Sequence, residues 1–500
     1  MPAQHSADEL DRLPLSPAGR RFLERRVFGH FIDGAMVPSA SGETLTVLEP
    51  SSGRPFATVA AGDAEDVNRA VDAAQRAFDD GRWRNLDAQE KERRLRRLSA
   101  LLDQNRPTLR DLDMADGGVI RNFTDFFIQF GIDAVDYYAG WPTKLHGSTP
   151  AAPPDCVVME VREPIGVVAS ITPWNGPSAS ASGIAAALAC GNSVIMKPAE
   201  QTPLTALLVA ELCLEAGIPP GVVNVVQGVG EKAGAALVEH PGVSAINFTG
   251  SVETGRRIQA AAAPRLKRLC MELGGKSPQI VFNDANLDEA ATVAAGAVWG
   301  HSGQVCTAGT RVLVERGIHD EFVAELVSRS RALKIGTAFS PDTQMGPLIS
   351  SEQLDRVSAY VAIGKAEGAH VALGGARVGD GGYFHQPTIF TGVDNRMRIA
   401  REEIFGPVMA VIPFDTEEEA IAIANDSEFG LSAGVWTRDL SRGHRMTQAL
   451  RAGTVWVNTY QRVNAAVPYG GFKQSGYGRN LGAVSLDSYT QLKSVWMKIR

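Results

Sequence analysis

Hydrophobic residues recur at helical spacing in two long stretches of the first hundred or so residues. Segments 64–78 and 88–104 carry apolar side chains every third or fourth position, with charged residues between them, and this pattern predicts two amphipathic helices. The preceding runs FIDGAMV and TLTVLEP predict short strands and a turn. The first thirty residues are a polar lead in which we expect one charged helix.

Beyond Glu163 the pattern changes to short apolar runs separated by helical segments. IGVVASITPW, SVIMKPA, VVNVVQG and AINFTGS have the length of buried strands, and the helix predicted at 179–189 consists of small residues. A second region with the same alternation begins near residue 274 and includes SPQIVF, RVLVE, VMAVIPF and a helix at 287–299. This alternation predicts an α/β fold with two doubly wound parallel-sheet domains, which bind ligands at the carboxyl ends of their strands.

Two segments stand apart from these sheets. Residues 142–154 are rich in Pro, Gly, Ala and Thr, which predicts a loop or hairpin that leaves the main body. The last residues, SYTQLKSVWMKIR, alternate apolar and polar side chains like a half-buried strand. We expect the two to form a small oligomerisation hairpin or strand element, in a homodimer or homotetramer.

Composition narrows the class of protein. A chain of 500 residues is too long for one hydrophobic core, and a formal net charge of −7 argues against a nucleic-acid binder, so small molecules are the expected partners. No apolar run approaches the roughly 20 residues that span a bilayer, and the N-terminus resembles no targeting signal, so no membrane partner is expected. The five cysteines, with no CxxC motif, predict neither disulfides nor a metal site and favour the cytoplasm.

Three short segments carry candidate chemistry, and each is weak alone. INFTGSVETG leads from a strand into Gly250, Ser251 and Gly255, a turn where the backbone can approach a phosphate, although most such turns are purely structural. MELGGKSP places Glu272 at a strand end, where a lone Glu is usually solvated. GHSGQVCTAGT presents Cys306 in a polar turn that suits a reactive thiolate, whereas a lone Cys is more often a core residue.

The same segments belong to a longer ordered series. PWN, KPAE, FTGSVETG, ELGGKSP, GQVC, EEIFGPV and PYGGFKQSGYGR follow one another along the chain. In this order, from about Phe31 to the C-terminus, the chain resembles the aldehyde dehydrogenase superfamily of the NAD-dependent, hydrolytic type. The separation between Glu272 and Cys306 is also typical of the hydrolytic members.

The resemblance implies a role for each matching catalytic residue. Cys306 would attack the aldehyde carbon to give a thiohemiacetal, and the Asn175 amide with the Cys306 N–H would hold the developing oxyanion. After hydride transfer to NAD, Glu272 would activate the water that cleaves the thioester. The implied cofactor contacts are Trp174, Lys197, Glu200, Gly250, Ser251, Gly255, Leu273, Glu403 and Phe405.

The resemblance also implies a division of labour between the parts of the chain. A NAD-binding domain would comprise residues 1–141 and 162–273, a catalytic domain 274–474, and the oligomerisation element 142–161 and 480–500. A carboxylate at Glu200 would accept from the ribose hydroxyls and repel a 2′-phosphate, which favours NAD over NADP. Lys197 would partly offset that repulsion, and an exposed Glu200 that merely begins a helix would leave the preference open.

The chain departs from the family where a substrate pocket is expected. Small residues occupy positions that are bulky or aromatic in many members, which predicts a wide entrance for a bulky aldehyde with an aromatic, cyclic or terpenoid body. The predicted pocket comprises Gly176, Ser180, Gly183, Tyr460 and Val463. The alternative is that Tyr460, Phe126 or Phe127 refills the space, because packed interiors tolerate few voids.

A second departure concerns two charges. Ile184 and Asn480 stand where many relatives carry a Lys and a Glu that are thought to conduct protons. The loss of both charges together leaves neither of them unpaired, whereas one charge alone would remain uncompensated in a confined site. We therefore expect proton removal to rely on Glu272 and water, and His301, near Cys306 in the chain, to be structural.

Two other functions fit the same fold. Acyl transfer to coenzyme A, or formation of an acyl phosphate, would use the same thioester, but such enzymes must keep water away from it, and the presence of Glu272 argues against them. A catalytically idle binding protein is the third reading. The presence of Cys306, Glu272 and Asn175 together argues against that one.

Overall fold

A computed structural model of the protein describes residues 7–499, so the first six residues of the predicted polar lead and Arg500 lie outside the described part. The α-helices are α1 (Ala7–Arg12), α2 (Pro17–Leu23), α3 (Ala64–Asp79), α4 (Ala88–Gln104), α5 (Arg106–Gly117), α6 (Arg121–Ala139), α7 (Ser180–Ala189), α8 (Leu204–Glu215), α9 (Ala235–Glu239), α10 (Val252–Ala262), α11 (Leu287–Trp299), α12 (His319–Arg331), α13 (Ser351–Ala366), α14 (Arg398–Arg401), α15 (Glu417–Asn425) and α16 (Leu440–Ala449). The predicted amphipathic helices are confirmed as α3 and α4.

Two large sheets organise these helices. The strands are β1 (Val27–Phe28), β2 (His30–Ile32), β3 (Ala35–Val37), β4 (Thr44–Glu49), β5 (Arg54–Ala60), β6 (Cys156–Pro164), β7 (Val167–Ile171), β8 (Ser193–Lys197), β9 (Val223–Val225), β10 (Val243–Thr249), β11 (Arg268–Glu272), β12 (Pro278–Val281), β13 (Arg311–Glu315), β14 (His370–Leu373), β15 (Thr388–Thr391), β16 (Val408–Phe414), β17 (Phe429–Gly430), β18 (Ser432–Trp436), β19 (Thr454–Val457), β20 (Phe472–Lys473), β21 (Gly476–Tyr477) and β22 (Thr490–Lys498). The first large sheet has the order β21-β11-β10-β7-β8-β9-β2-β3 and the second β14-β15-β16-β13-β12-β18-β19.

Both sheets are parallel at their centres. Strands β11, β10, β7, β8 and β9 run parallel, and the antiparallel strands β21, β2 and β3 extend the edges. The second sheet is parallel except for β14. The predicted α/β class with two doubly wound sheets is confirmed.

Burial on both faces explains why these strands are continuous apolar runs. In β13, Leu313 packs into the core on one face of the sheet, whereas Val312 and Val314 pack into the core on the other. In β7, Val168 and Val167 divide between two cores in the same way. A strand with helices on both faces has no solvent side, so it shows no alternation with polar residues.

Strand register gathers the sequence motifs at one edge of the first sheet. Ile171 pairs with Lys197 and with Phe248, and Thr249 pairs with Glu272. Because these strands are parallel and end together, the segments that follow them lie side by side at the carboxyl edge, where such sheets bind ligands.

Helices α5 and α6 were not predicted from the sequence. Helix α6 carries apolar residues on two faces, because the phenylalanines of the run FTDFFIQF recur at helical spacing and Ile128, Ile132 and Val135 form a second, buried set. The apolar stripe is therefore blurred, and the helix escapes a reading based on amphipathic spacing. Its phenylalanines face the cavity described below.

The terminal strand β22 pairs antiparallel with β6 in a separate two-stranded sheet, so the predicted strand is confirmed. Leu492 and Trp496 are 59% and 62% exposed within this single chain, so the half-burial expected of this strand would have to come from a partner subunit. Upstream, residues 142–154 form a short 3-10 turn (Pro142–Lys144) and one bridge from Ser148 to Glu160. Within residues 7–499, no helix is both long and apolar enough to cross a membrane.

Candidate active site

Cys306 lies in a tight loop between α11 and β13. Ser302 and Gly303 adopt positive φ angles of 53° and 72°. A Cβ on Gly303 would lie 2.0 Å from the carbonyl oxygen of Gly406, so this turn requires glycine. The fully buried side chain of Gln304 fastens the loop, because its Oε1 accepts a 2.9 Å hydrogen bond from the Ile349 N–H. The loop is therefore rigidly held next to the sheet edge.

Asn175 is fixed against the same loop from two sides. Its side-chain Nδ2 donates to the backbone carbonyl of Gln304 at 2.8 Å, and its backbone carbonyl accepts from Nε2 of His301 at 2.9 Å. Burial lowers the pKa of His301 to about 4, so the ring is neutral and uses its proton for this contact. A side-chain amide has two N–H groups, and only one of those on Asn175 is used here. His301 thus positions Asn175, in keeping with the predicted structural role.

Glu272 ends β11 and carries an unusual carboxyl group. The residue is 4% exposed, and neither Oε1 nor Oε2 has a hydrogen-bond partner within the described residues. Burial raises the pKa of Glu272 well above its usual value, and the positive charge of Arg479 opposes that rise. A buried, unpartnered carboxylate of raised pKa is a strong proton acceptor, the property that a general base needs.

Cys306, Glu272 and Asn175 line one cavity of about 430 Å³. Burial raises the pKa of the Cys306 thiol to about 11, and the Tyr469 hydroxyl acts in the opposite direction. Tyr469 also lines the cavity, and its Oη lies 3.4 Å from Sγ of Cys306. We did not predict Tyr469 as a site residue; its one sequence signal is its place in the PYGGFKQSGYGR motif.

The rest of the cavity wall joins aromatic rings to small residues. Helix α6 contributes Phe123, Phe126, Phe127 and Phe130, and Gly176, Ser180, Gly183 and Val463 also lie at the wall. A Cβ on Gly183 would meet only the Ser170 hydroxyl, at 3.1 Å, so this helix position faces open space.

Tyr460 lies outside the wall of this cavity and is not a pocket residue in this structure. Its ring packs on Trp456 at a centroid distance of 4.8 Å and lies where a Cβ on Gly434 would approach within 2.7 Å. Phe127 partly fills the space that the small residues leave, as the alternative in the sequence analysis anticipated. Its ring lies 3.2 Å from a Cβ built on Gly176. The cavity nevertheless stays open beside it.

Ile184 and Asn480, the two positions where the resemblance led us to expect charged residues, differ in placement. Ile184 is fully buried in the core and does not reach the cavity, whereas Asn480 lies at its wall. The Asn480 Oδ1 accepts from Nδ2 of Asn247 at 3.3 Å. This part of the wall is therefore held by neutral hydrogen bonds.

Most of the residues predicted to contact NAD lie at or after the ends of β7, β8, β10 and β11, at the carboxyl edge of the first sheet. Ser251 caps α10, since its Oγ accepts a 3.1 Å hydrogen bond from the Thr254 N–H. A Cβ on Gly255 would lie 2.7 Å from Leu273, so this glycine lets the helix approach the sheet closely. A helix N-terminus that begins directly after a strand offers free N–H groups to a pyrophosphate.

Other residues predicted to contact NAD form charged and aromatic contacts. The buried Lys197 lies 3.5 Å from the Glu200 carboxylate at the end of β8. The rings of Trp174 and Phe405 meet edge to face at 5.2 Å. The Glu403 carboxylate accepts a 2.9 Å hydrogen bond from the Gly275 N–H, and burial raises its pKa to about 7.

Comparison with known proteins assigns the chain to a family. A model of the aldehyde dehydrogenase family matches residues 36–495. The chain belongs to the aldehyde dehydrogenase family. The resemblance drawn from the ordered motifs is confirmed, and so is the assignment of the chain as an enzyme.

The relatives of this dehydrogenase match it over almost their full length. The putative aldehyde dehydrogenase DhaS of Bacillus subtilis (strain 168) is 45% identical over 471 residues, which cover 94% of this chain and 95% of that protein. Retinal dehydrogenase 2 of Mus musculus is 43% identical, covering 100% and 98%. A mutant of the P. syringae AldA indole-3-acetaldehyde dehydrogenase, solved with NAD+ and IAA, has a TM-score of 0.93 at 43% identity, covering 96% and 99%. These names differ in substrate, so family membership alone leaves the substrate open.

Proposed function

We propose that this dehydrogenase oxidises a bulky aldehyde, with an aromatic, cyclic or terpenoid body, to the carboxylic acid, using NAD and water. The observation that carries the proposal is one cavity in which Cys306, Glu272 and Asn175 share a wall with four phenylalanines and a row of small residues. Apolar walls bury the body of a substrate, and a few polar groups orient its reactive end.

Cys306 begins the reaction. Its sulfur forms a bond to the aldehyde carbon once the thiol proton has left, and the carbonyl electron pair moves to the oxygen. The second N–H of the Asn175 amide and the backbone N–H of Cys306 donate to that oxygen as its charge develops. Because Asn175 is held by Gln304 and His301, little reorganisation is needed at this stage.

The carbon next loses a hydride, for which NAD supplies the acceptor when bound, and the sulfur then carries a thioester. Glu272 takes a proton from a water molecule, whose oxygen attacks the thioester carbon and releases the acid. The raised pKa of Glu272 suits this step, because it strengthens the carboxylate as a base. The free thiol of Cys306 is restored.

The residues predicted to contact the cofactor suit NAD. The capped start of α10 with Gly250 and Ser251 suits the pyrophosphate, and the Lys197 and Glu200 pair suits the adenosine ribose. Glu403 suits the nicotinamide ribose, with Phe405 and Trp174 beside the ring. We propose a preference for NAD over NADP, because a carboxylate at Glu200 repels a 2′-phosphate. The P. syringae relative solved with NAD+ supports the choice of cofactor.

A panel of aldehydes, assayed for NADH formation with NAD and with NADP in parallel, tests the proposed function. We expect a higher kcat/KM for aldehydes of benzaldehyde size and above than for acetaldehyde, and higher rates with NAD. A higher kcat/KM for acetaldehyde would reject the bulky substrate class, and no turnover of any aldehyde would reject the reaction.

Filling the cavity should change the substrate range. Leucine at position 183 would project into open space, so Gly183→Leu is expected to lower kcat/KM about tenfold for bulky aldehydes, since overpacking costs about 1–3 kcal/mol. Acetaldehyde kinetics should stay near wild type. Steady-state kinetics of both substrates measure the ratio.

Gly183→Ala is the matched control, because its methyl group adds little volume and should give a small effect. Both changes improve helix propensity, by about 1 kcal/mol relative to glycine, so unfolding is not the expected cause of a loss. Equal losses for small and bulky aldehydes in Gly183→Leu would contradict the proposed position of the substrate.

We also propose the domain division 1–141 with 162–273 for NAD, 274–474 for catalysis, and 142–161 with 480–500 for assembly into a homodimer or homotetramer. The exposed apolar side chains of β6 and β22, among them Val161, Leu492 and Trp496, support the assembly surface. The cysteines of the described chain are all free, which supports a cytoplasmic location.

Introducing a charge on this surface should break the assembly. Trp496→Lys is expected to raise the concentration at which subunits dissociate at least about tenfold, since a buried interface Trp contributes about 2 kcal/mol or more. Light scattering after size-exclusion chromatography measures the mass over a dilution series. Leu440→Lys, at an apolar residue that starts α16 and is 88% exposed, is the control and should leave the mass unchanged. An unchanged mass for Trp496→Lys would reject this surface.

A further inference from the structure

The Tyr469 hydroxyl has a single hydrogen-bond partner within the described residues, the Cys306 sulfur at 3.4 Å. This distance is within hydrogen-bond range for sulfur, whose radius is larger than that of oxygen. Other buried tyrosine hydroxyls differ, since that of Tyr138, for example, contacts the Gly482 carbonyl and the Ser485 hydroxyl. The polar end of Tyr469 is thus directed at the reacting atom alone.

Contacts unrelated to the thiol fix this geometry. The main chain of Tyr469 exchanges two hydrogen bonds with Asn480, at 2.7 and 2.8 Å. Its ring packs against a small apolar cluster that contains Ala134, Ala465 and Leu481. The hydroxyl therefore occupies its place whether Cys306 is a thiol or a thiolate.

The other surroundings of Cys306 oppose a negative charge on sulfur. Burial raises the pKa of the thiol to about 11, and the carboxylates of Glu272 and Glu403 act in the same direction. The groups that act against them are the Tyr469 hydroxyl and the backbone N–H of Thr307. Tyr469 is the one side chain among these that can donate a proton to a hydrogen bond with the sulfur.

We propose that Tyr469 is a catalytic residue of this dehydrogenase, whose hydroxyl donates a hydrogen bond to the Cys306 thiolate and stabilises it for attack on the aldehyde. The inference rests on the proposed function, which makes Cys306 the nucleophile. When the thiol ionises, its proton passes to water and the sulfur can only accept, so the tyrosine is the donor. As the carbon–sulfur bond forms, the charge moves to the aldehyde oxygen.

Tyr469 stays protonated under the conditions in which this donation matters. Burial raises the pKa of its phenol well above the usual value, and negative charge at Cys306 or Glu272 raises it further. A phenol that does not ionise keeps its proton for the sulfur at neutral and mildly alkaline pH. This separates the role of Tyr469 from that of a base.

Alkylation of the full-length enzyme by iodoacetamide, with and without NAD, tests the proposal, because it reports thiolate reactivity without turnover. Tyr469→Phe keeps the ring and removes the hydroxyl. Loss of one hydrogen bond to a charged group should raise the pKa of Cys306 by about one pH unit and lower the thiolate fraction about tenfold. The greater nucleophilicity of a more basic thiolate recovers part of this, which leaves alkylation about threefold slower at pH 7.5.

Tyr460→Phe is the matched control. It removes a buried hydroxyl in the same loop, and that hydroxyl makes no hydrogen bond to Cys306. The alkylation rate of this variant should therefore equal that of wild type. The apparent pKa read from the pH dependence of Cys306 alkylation should be about one unit higher in Tyr469→Phe than in wild type, whereas a loss of packing would leave that pKa unchanged. Equal alkylation rates in Tyr469→Phe and wild type, or an equal slowing in Tyr460→Phe, would overturn the proposal. Peptide mass spectrometry of the alkylated wild type distinguishes these outcomes from failure of the proposed function. If the proposed function is wrong, Cys306 would not be the alkylated residue.

Discussion

Cys306→Ala should lower kcat for every aldehyde by at least about 10⁴-fold, the scale of loss when a catalytic nucleophile is removed. The physical reason is that no second thiol can replace it. Cys190, Cys213 and Cys270 are buried in hydrophobic cores, and burial raises the pKa of each to about 12. NADH absorbance measures turnover, and NAD binding by calorimetry should remain, because Cys306 is not among the residues assigned to the cofactor.

Cys156→Ala is the control for this variant. Cys156 lies on β6, away from the cavity wall, and its replacement should leave kcat near wild type. Retention of more than a few per cent of turnover in Cys306→Ala, with purity confirmed, would reject Cys306 as the nucleophile. Loss of NAD binding together with turnover would instead indicate a folding defect.

Glu272→Gln should separate the two halves of the reaction. Hydride transfer precedes the need for a base at position 272, so a rapid burst of NADH, close to one per active subunit, is expected. Hydrolysis of the thioester should then slow by about 10²–10⁴-fold, the usual contribution of a general base. Stopped-flow absorbance resolves the two phases.

The pH dependence gives an independent reading of the same residue. A carboxylate is active as a base when deprotonated, and burial raises the pKa of Glu272 well above 4.5. The hydrolysis rate of the wild type should therefore rise with pH through that raised value, and Glu272→Gln should lack this rise. Glu239→Gln, at an exposed carboxylate on α9, should keep the wild-type profile. A slow phase of unchanged rate in Glu272→Gln would reject Glu272 as the base.

The sequence predicted the buried strands well and the boundaries of exposed elements less well. β7, β8, β9 and β10 are apolar on both faces, so a short continuous run is enough to recognise them. β22 was recognised as a strand from its alternation, which shows that one face is apolar and not what covers it. Helix α6 was missed because apolar residues occupy two of its faces, the phenylalanines at the cavity and a second set in the core.

The pocket shows the limit of reading side-chain direction from sequence. Tyr460 and Tyr469 lie in neighbouring parts of one loop, and we predicted Tyr460 in the wall where the structure has Tyr469. The loop turns through positive φ angles of 52° at Asn458 and 53° at Gln461. Such angles at non-glycine residues depend on tertiary contacts, so local sequence does not determine which ring faces the cavity.

The motifs were more informative about chemistry than about shape. Glu272 and Cys306 were each expected at a turn or strand end, and the parallel register of β10 and β11 explains why Glu272 lies at the carboxyl edge. The small residues Gly176 and Gly183 indicated an open pocket. Its size depends on the rings of Phe126 and Phe127, which come from the helix that was not predicted.

The central claim is that oxidation proceeds through an acyl thioester on Cys306. The most direct measurement is acid quenching of Glu272→Gln after mixing with NAD and a benzaldehyde-sized substrate, followed by peptide mass spectrometry. The account predicts that the peptide containing Cys306 gains the mass of the aldehyde less two hydrogens, in an amount that matches the NADH burst. NADH formation without this adduct, or with the adduct on another cysteine, would contradict it.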